Sequence, residues 1–343
     1  MTVNVALVGH GYWGPNLLRN YVELPGTWVN WVCDADEKAL KRAHNRYPAI
    51  PITTDYGEVL ADADVDAVLI ATPISTHFQL AQEALEAGKH VFVEKPLAAS
   101  SEACRQLVEL ADDRGLTLMV GHTFVFSPPV RKVKELLDDG ELGEVRFISS
   151  SRVNLGLHQK DVSVIWDLAS HDFSILYYWL GEEAETVSGV GRACVNPQIP
   201  DVAFLNLTFP SGVVASLDVA WLSPVKLRRT IIVGSRKMLL YDDTESVEKV
   251  KLFDHGVDFK DPETFGEFQL SYRTGDIVAP KIETTEPLLL EASHFVECIE
   301  TGRHPITDGV AGLRVVESLE AAEAALQNGG CLSPSAARRA SDG

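Results

Sequence analysis

The sequence predicts an α/β protein with two differently built halves. A doubly wound parallel sheet comes first, and an α+β half with a large, mostly antiparallel open sheet follows. Up to about residue 122, short apolar runs alternate with helical stretches, as in strands that are joined by crossover helices. From about Glu144, strand-like runs follow one another with only short turns between them, which is typical of antiparallel pairing. The length of 343 residues suits two domains of about 150 residues each.

The first half contains apolar runs that indicate strands covered on both faces. They lie at Val3–Val8, Val29–Cys33, Ala67–Ala71, His90–Val93 and Leu116–Val120. Periodic segments between them, such as Phe78–Ala87 and Glu102–Asp113, predict helices that end at Gly88 and Gly115. This alternation predicts right-handed crossovers within one parallel sheet.

The second half contains six strand-like runs. They lie at Glu144–Val153, Thr186–Val195, Val202–Phe209, Val213–Leu222, Arg228–Val233 and Lys237–Tyr241. Pro210-Ser211-Gly212 indicates a hairpin between two of them. Alternate residues from Val213 to Trp221 form one apolar face, whereas the run from Val202 is apolar on both faces. Because helices can cover only one side of such a sheet, we expect a homodimer or homotetramer assembled through it.

The remaining chain predicts two late helices, Pro287–Thr301 and Gly309–Asn328, that pack back onto the body. The stretch from Gly329, rich in Ser, Ala and Arg, predicts a frayed tail. The expected organisation is a first domain at residues 1–123, a second at 124–328 and a flexible tail at 329–343.

Composition excludes several classes of protein. Hydrophobic residues make up 45% and charged residues 23%, as in ordinary globular chains. A net charge of −19 disfavours a nucleic-acid partner, because it repels phosphate backbones. No run approaches the roughly 20 apolar residues of a membrane span, and the N-terminus lacks the pattern of a secretory signal, so we expect a cytoplasmic protein. Five scattered cysteines without a CxxC indicate reduced, mostly buried thiols.

The first turn carries a glycine-rich motif, Gly9-His10-Gly11-Tyr12-Trp13-Gly14, between a strand and a helix. This pattern lets the backbone approach a pyrophosphate at the helix N-terminus. Asp34 ends the second strand, where a carboxylate can accept hydrogen bonds from ribose hydroxyls and repels a 2′-phosphate. The motif therefore predicts a dinucleotide site that prefers NAD to NADP, although Lys38 or Lys41 could bring in a positive charge.

Two further loops follow the fourth and fifth strands, at the edge where a doubly wound sheet binds its ligand. The first carries Thr72, Pro73 and His77, for which the alternative is a helix cap followed by a surface histidine. The second carries Glu94-Lys95, which on an ordinary loop would be a solvated pair. Beside a nicotinamide, however, the Lys95 ammonium would polarise a hydroxyl or a developing alkoxide.

Taken in order, GHGYWG, Asp34, ATPISTH, EKP and WDLASHD resemble the motifs of the glucose–fructose oxidoreductase/inositol dehydrogenase family, often abbreviated Gfo/Idh/MocA. The resemblance covers roughly residues 3–326, and EKP and the Asp-x-x-x-His segment are its most specific parts. It implies a Rossmann domain, a C-terminal α/β domain with an open sheet that often builds dimers or tetramers, and a cis peptide between Lys95 and Pro96.

The resemblance also assigns the catalytic residues: Lys95 as the catalytic lysine, Asp167 as a carboxylate and His171 as the acid/base. Asp167 and His171 are four residues apart in a predicted helix, Trp166–Leu180, so they share a face. A histidine with a near-neutral pKa suits the removal of an alcohol proton. Two alternatives stay open, a metal-binding pair, for which no third ligand has a telling spacing, and a structural pair on a helix surface.

Departures from the family bear on the predicted site. Val162–Trp166 replaces a glycine-rich stretch, and Trp166 is expected to form an apolar wall near the substrate. His122 lies where the family often presents an asparagine to the cofactor, with a buried structural histidine as the alternative. Arg152 and Asn154 share a strand face and are the candidate sugar contacts. The candidate cations for a diphosphate are Arg152, Lys160, Lys226, Arg228 and Arg229.

The expected function is that of an NAD-dependent dehydrogenase acting on a small sugar or sugar nucleotide, at C3. GYWGPN and GHTF are most similar to family members of sugar-nucleotide metabolism. The alternatives are an inositol or free-sugar dehydrogenase, a glycosidase that uses NAD transiently, and a non-catalytic NAD-binding regulator. The presence of Lys95, Asp167 and His171 counts against the regulator.

Overall fold

The computed structural model describes residues 2–156, 158, 162–260, 269–328 and 331–332. The chain clusters into two compact units, Met1–Ser127 with Thr285–Glu317, and Pro128–Thr284 with Ser318–Gly343. This division differs from the expected boundaries, because the first unit includes Thr285–Glu317. Residues 329–330 and 333–343 of the expected tail lie outside the described residues, whereas Cys331–Leu332 pairs as a short strand with Thr186–Arg192.

The first unit is built on a six-stranded parallel sheet. Its strands are β1 (Val3–Val8), β2 (Thr27–Cys33), β3 (Ile52–Thr53), β4 (Ala67–Ile70), β5 (His90–Glu94) and β6 (Leu118–Gly121). The order β3-β2-β1-β4-β5-β6 is that of the Rossmann fold, with the change of direction between β1 and β4. All four residues of β4 and of β6 are buried, as expected for strands covered on both faces.

Helices on both sides cover this sheet. They are α1 (Gly14–Glu23), α2 (Glu37–Arg46), α3 (Tyr56–Ala61), α4 (Ile74–Glu86) and α5 (Ser101–Arg114). Helix α5 shows the local rules clearly, since Ser100 caps its N-terminus by accepting from the Ala103 N–H at 3.2 Å, and it ends at Gly115 in the left-handed region. The predicted strands and helices of this half are confirmed to within a few residues.

A late helix, α8 (Pro287–Thr301), completes the first unit. Its buried stripe includes Leu288, Ala292 and Phe295, which recur at helical spacing. The Phe295 ring meets Phe92 of β5 edge to face, with 5.8 Å between ring centroids. This packing explains why α8 belongs with the parallel sheet rather than with the second half of the sequence.

The second unit is built on a nine-stranded, mostly antiparallel sheet. Its strands are β7 (Val145–Leu155), β8 (Thr186–Arg192), β9 (Val202–Thr208), β10 (Val214–Ala220), β11 (Leu222–Gly234), β12 (Met238–Asp242), β13 (Val250–Lys260), β14 (Gln269–Val278) and β15 (Cys331–Leu332). The order is β14-β13-β12-β11-β7-β10-β9-β8-β15, and only the β7–β10 pair is parallel. The predicted hairpin joins β9 to β10, with Gly212 at φ +88°.

Helices cover one face of this sheet. They are α6 (Pro128–Asp138), α7 (Ser170–Leu180) and the second half of α9 (Gly309–Asn328). The Trp179 indole of α7 donates to the Val130 carbonyl of α6 at 2.9 Å. On β8, a side chain at Gly191 would collide with Leu326 of α9, so this glycine admits the helix, and a side chain at Gly189 would collide with Leu205 and the Phe204 carbonyl of β9. The predicted apolar face from Val213 to Trp221 is confirmed as buried.

The opposite face of the same strands is exposed and partly apolar. Phe204 of β9 is 50% exposed and Val214 of β10 is 49% exposed, whereas their neighbours Leu205 and Ala215 are buried. Phe147 of β7 pairs with Val214 and is 43% exposed. We call Phe147, Phe204 and Val214 the open-face patch. The prediction of a sheet with two partly apolar faces is therefore confirmed.

Candidate functional site

The glycine-rich turn of the first unit is closely packed against its own strands. Gly9 has φ +96°, and a side chain there would collide with the Ala71 carbonyl that follows β4. A side chain at Gly14 would collide with the carbonyl oxygen of Gly9, whereas Gly11 faces open space. Two of the three glycines are thus needed for the turn itself, and the third leaves the backbone open to a ligand.

Asp34, at the end of β2, is oriented by two backbone donors. Its Oδ2 accepts from the His10 N–H at 2.6 Å, and its Oδ1 accepts from the Asp36 N–H at 2.8 Å. Each carboxylate oxygen keeps a lone pair for a further donor, such as a ribose hydroxyl. A cavity of about 500 Å³ opens beside it, lined by Gly9, Gly11, Asp34, Thr72 and Pro73 among others. This glycine cradle and oriented carboxylate fit the adenosine and pyrophosphate end of NAD.

Arg42, on α2, is a residue of this cavity that the sequence analysis missed. It lines the cavity, and its Nη2 donates to the His10 carbonyl at 3.4 Å. Lys38 and Lys41, the cations considered from the sequence, are not among the described residues that line it. Arg42 lies three residues after Ala39, which also lines the cavity, so the two side chains share a face of α2. This helical spacing is the feature of the sequence that relates Arg42 to the cavity.

Tyr12 of the glycine-rich turn projects outward, whereas the Trp13 side chain makes a hydrogen bond with the Glu94 carboxylate. Tyr12 is 91% exposed and Trp13 is 36% exposed, and in the described chain neither lines the cavity. Their predicted contact with the cofactor stays a prediction.

His77, at the first turns of α4, is buried and ties two loops together. Its Nδ1 lies 2.8 Å from the Pro96 carbonyl and its Nε2 lies 2.9 Å from the Thr72 carbonyl. Burial lowers the pKa of His77, against the effect of the two carbonyls, which raise it. The alternative of a surface histidine is therefore wrong. Because both ring nitrogens contact backbone carbonyls, His77 positions Thr72 and the Lys95–Pro96 loop.

Glu94 and Lys95 end β5, and the peptide between Lys95 and Pro96 is cis, as the resemblance implies. The Glu94 side chain turns inward over Gly121 of β6, where any side chain would stand 3.1 Å from Glu94 Oε2. Burial raises the pKa of Glu94 to about 7, against the charge of Lys95, which lowers it. Glu94 is therefore not the solvated surface residue of an ordinary loop.

His122 follows β6 and is 1% exposed. Neither of its ring nitrogens has a hydrogen-bond partner among the described residues. Burial, with a smaller effect from the charge of Lys95, lowers the pKa of His122 to about 3, so the ring is neutral at physiological pH. His122 was interpreted either as a cofactor contact or as a buried structural histidine. It is buried, as the second interpretation says, and it follows β6 at the ligand-binding edge of the sheet, as the first requires.

Glu291, on α8, was not among the predicted site residues. It is fully buried, and its Oε2 accepts from the Thr123 hydroxyl at 2.8 Å. Burial, together with the neighbouring charge of Glu94, raises the pKa of Glu291 well above its ordinary value. The signal was a glutamate on the apolar stripe of a helix, one turn from Leu288 and Phe295.

In the second unit, Asp167 and His171 lie at the start of α7. Asp167 belongs to a π-helical turn, Ile165–Ala169, that leads directly into the helix at Ser170. Four residues span close to one turn in either geometry, so the two side chains share a face, as the spacing predicts. Asp167 Oδ2 accepts from the Trp221 indole N–H at 3.0 Å, which fixes the carboxylate.

Other polar residues lie near Trp221, whose indole contacts this carboxylate. A side chain at Gly156 would contact both Trp221 and the amide oxygen of Asn154, so Asn154 lies close to the indole. The His158 ring lies 5.4 Å from that of Trp221. His158 Nε2 is also 3.7 Å from Asp201, a buried carboxylate that accepts three backbone N–H contacts. The alternation from Val213 to Trp221 predicts an apolar position for Trp221 but not its contact with Asp167.

Trp166, which is predicted to form an apolar wall near the substrate, lies in the π-helical turn Ile165–Ala169, and its contact with a substrate stays a prediction. It is 8% exposed, and its indole N–H donates to Glu323 Oε2 of α9 at 2.9 Å. Glu323 thus supplies the hydrogen-bond acceptor that a buried indole N–H usually has.

Arg152 is buried in an ion pair. Its Nε lies 2.8 Å from Asp172 Oδ2, and the Ser150 hydroxyl donates to Asp172 Oδ1 at 2.8 Å. Arg152 therefore ties β7 to α7, a role that the sequence analysis did not predict beside its candidacy as a sugar contact. Among the other candidate cations, Arg228 pairs with Asp243 and Arg229 with Asp242, while Lys160 lies outside the described residues.

The described part of the chain contains neither a metal-binding group nor a membrane-spanning helix. No group of three or more His, Cys, Asp and Glu side chains is placed to hold a metal ion. Among the same residues, no helix is both long and apolar enough to cross a membrane.

Comparison with known families gives a match over both units. The family described as "Oxidoreductase family, NAD-binding Rossmann fold" matches residues 3–122, and the "GFO/IDH/MocA C-terminal domain" matches residues 130–240.

Individual relatives differ in what they act on. The chain is 28% identical to scyllo-inositol 2-dehydrogenase (NAD(+)) of Bacillus subtilis, covering 95% of each chain. It is 29% identical to UDP-N-acetylglucosamine 3-dehydrogenase of Acidithiobacillus ferrooxidans, over 74% of this chain and 76% of that one. The crystal structure of an aldose-aldose oxidoreductase from Caulobacter crescentus shares the fold, with a TM-score of 0.83 at 22% identity over 97% of this chain and all of that one.

Proposed function

Because the chain belongs to the GFO/IDH/MocA family of NAD-binding oxidoreductases, we propose that it oxidises the C3 hydroxyl of a sugar nucleotide. The family makes it an NAD-dependent dehydrogenase acting on CH–OH groups of sugars or polyols. The finer choice of substrate rests on GYWGPN and GHTF, and on the relative that is a UDP-N-acetylglucosamine 3-dehydrogenase. In this proposal residues 1–123 bind NAD, residues 124–328 bind the sugar, and the enzyme works in the cytoplasm.

The observation that carries the proposal is the orientation of Asp167 by the Trp221 indole, one turn before His171. A fixed carboxylate on the same helix face can orient an imidazole or a sugar hydroxyl. His171 then accepts the alcohol proton, and the Lys95 ammonium donates to the reacting oxygen as negative charge develops on it. Bound NAD supplies the hydride acceptor. Asp34 holds the adenosine ribose, and the glycine-rich turn holds the pyrophosphate.

Binding of the sugar ring is assigned to Asn154, which lies beside Trp221. Arg152 takes part through Asp172, since this buried pair fixes the start of α7 and with it His171. The open-face patch supports a homodimer or homotetramer, because Phe147 and Val214 pair across neighbouring strands and Phe204 lies further along the same exposed face, and exposed apolar groups on a sheet face are typical of an interface.

An inositol or free-sugar dehydrogenase is the second candidate, favoured by the match to scyllo-inositol 2-dehydrogenase over 95% of each chain. A panel of UDP-N-acetylhexosamines, inositols and free sugars, read by the near-ultraviolet absorbance of NADH, separates the two. We expect turnover with the sugar nucleotides. Turnover confined to inositols or free sugars contradicts the proposal, and release of sugar without net NADH identifies a glycosidase.

A further inference from the structure

A closed polar cluster lies inside the first unit behind Lys95. It consists of Glu94, His122 and Glu291 together with Thr123 and Tyr21. His122, Glu291 and Tyr21 are buried, and Glu94 is half-buried with its Oε1 atom shielded from solvent. Among the described residues, five of their polar atoms have no hydrogen-bond partner: Glu94 Oε1, Glu291 Oε1, Tyr21 Oη and both ring nitrogens of His122. Such atoms are rare in protein interiors and call for a functional explanation.

The charges in this cluster do not balance if both carboxyls are ionised. Within the first unit, Lys95 is the cation that acts on Glu94, and burial keeps His122 neutral. Tyr21 is neutral as well, because burial and the two carboxyls raise the pKa of its hydroxyl. Two buried carboxylates beside one ammonium would leave a net negative charge in a medium of low dielectric constant, which is costly.

The two carboxyls differ in their surroundings, and this difference separates their protonation states. Glu291 lies on α8 with Thr123 as its hydrogen-bond donor, and its pKa is raised well above the ordinary value by burial and by Glu94. Glu94 lies next to Lys95, which holds its pKa near neutrality. Glu291 therefore keeps its proton, and Glu94 is the group of the cluster that gains or loses one near physiological pH.

Glu94 also lies where the cofactor changes charge. It ends β5, and β4, β5 and β6 form the second half of the doubly wound sheet, whose carboxyl edge receives the nicotinamide end of a dinucleotide. The nicotinamide ring is positively charged in NAD⁺ and neutral in NADH. A buried carboxylate near that edge therefore stabilises one form and not the other.

We propose that Glu94 distinguishes the two forms of the cofactor, because it releases a proton when NAD⁺ binds but not when NADH binds. The released proton goes to solvent. Glu291 stays neutral and prevents a second charge from competing for the ring. The inference rests on the proposed placement of the nicotinamide end at β5, and it does not depend on the sugar substrate.

The test measures cofactor binding without any sugar, by calorimetry in buffers of different ionisation enthalpy between about pH 6 and pH 8. We expect NAD⁺ binding to release up to one proton. At pH values below the pKa of Glu94, the Kd of NAD⁺ should fall by up to about tenfold for each unit by which the pH is raised. The Kd of NADH should change less than twofold. An equal pH dependence for NAD⁺ and NADH overturns the proposal even if no variant folds.

Variants assign the proton to its residue. Glu94→Gln should remove the proton release and flatten the pH dependence of the NAD⁺ Kd, whereas Glu291→Gln, which mimics a protonated carboxyl, should keep both. The matched control is Glu317→Gln, because Glu317 is a glutamate of the first unit that is buried like Glu291 but pairs with Arg105. It should show the proton release and the pH dependence of the wild type, and His171→Ala, although inactive in turnover, should keep the proton release on NAD⁺ binding. Proton release that persists in Glu94→Gln, or that disappears in His171→Ala, contradicts the proposal.

The same experiment separates this inference from the proposed function. If the substrate panel shows no sugar-nucleotide turnover while the proton release with NAD⁺ is present, only the proposed substrate fails. If turnover is present and NAD⁺ binds without proton release, only the role of Glu94 fails.

Discussion

At the scale of single residues, Asp34 shows how one carboxylate can serve both the fold and the ligand. Two backbone N–H groups, those of His10 and Asp36, orient it beside the cavity. A carboxylate fixed in this way binds vicinal hydroxyls without a loss of side-chain entropy and repels a 2′-phosphate. Arg42, which lines the same cavity, is the cation that could favour that phosphate if the carboxylate were absent.

Replacing Asp34 by alanine is therefore expected to weaken NAD⁺ much more than NADP⁺. The loss of hydrogen bonds to a charged group should raise the Kd of NAD⁺ by about tenfold to a hundredfold. The Kd of NADP⁺ should rise far less, because the repulsion disappears while Arg42 stays. Calorimetric titration of both cofactors measures the difference. Asp36→Ala removes the neighbouring carboxylate, which caps α2 at the Lys38 N–H, and should change both affinities equally; an equal loss in Asp34→Ala would contradict the assignment.

His171 is expected to matter for turnover and not for cofactor binding. Loss of a general base costs about 10²–10⁴ in rate, so His171→Ala should lower kcat by at least a hundredfold while the Kd of NAD⁺ stays within about twofold. Initial rates and calorimetry on the same preparation test both parts. His44→Ala, at an exposed histidine of α2, is the control and should leave kcat unchanged. Full turnover in His171→Ala would exclude it as the proton acceptor.

Residues that depend on tertiary packing were the hardest to predict. Strand ends and helical spacing indicated Asp34 and the shared helix face of Asp167 and His171, whereas the roles of Lys95, Asp167 and His171 came from the family resemblance and stay predictions. Spacing could not show that α9 would cover Trp166 through Glu323, or that Asp172 would pair with Arg152. Glu291 was missed because an isolated glutamate on an apolar stripe becomes informative only when its neighbours in space are known.

At the scale of elements, the sequence predicted strands and helices well wherever one face is buried. Helices Pro287–Thr301 and Gly309–Asn328 were predicted with the bounds that the structure has. The hairpin of β13 and β14 was not predicted. Its first strand carries Lys251, Asp254 and His255, which interrupt the apolar alternation. The placement of α8 on the parallel sheet was not predictable either, since its apolar stripe fits any core.

Helix α7 depends on the buried pair of Arg152 and Asp172, whose side chains are 7% and 3% exposed. Arg152→Met should leave Asp172 as an unpaired buried charge and destabilise the protein by about 3–5 kcal/mol. We expect a fall in Tm of roughly 10 °C by calorimetry. The double variant Arg152→Met with Asp172→Leu should recover most of this loss, because no buried charge remains.

The surface pair Lys134–Asp138 of α6 is the matched control for that experiment. Its side chains are 25% and 58% exposed, and exposed i,i+4 pairs contribute little. Lys134→Met should change the Tm by no more than about 2 °C. A similarly small change for Arg152→Met would show that the pair does not anchor the helix.

At the scale of the whole molecule, no helix among the described residues covers the second face of the nine-stranded sheet. The register aligns Phe147 of β7 with Val214 of β10, and Phe204 of β9 lies opposite Asp218, four residues further along β10. Each of the three apolar side chains is about half exposed, although the residues of opposite parity are fully covered. Side chains of this kind on the open face of a sheet are better explained by a second copy of the chain than by solvent, since a self-complementary patch generates a symmetric dimer.

A charge placed in the open-face patch should therefore dissociate the assembly. We expect the wild-type protein to elute with a mass of two or four chains in size-exclusion chromatography with light scattering, and Phe204→Glu to elute at a lower mass, because a symmetric interface brings both copies of the new carboxylate into the contact. Trp28→Glu is the control, since Trp28 is 63% exposed on β2 of the first unit, and it should keep the wild-type mass. Because Phe204 lies on the exposed side of its strand, the Phe204→Glu variant should have nearly the wild-type Tm at low protein concentration. The increase of Tm with protein concentration should be weaker in the variant than in the wild type. A wild-type protein that is monomeric at all concentrations, or a Phe204→Glu variant that assembles like Trp28→Glu, would exclude this face as the interface.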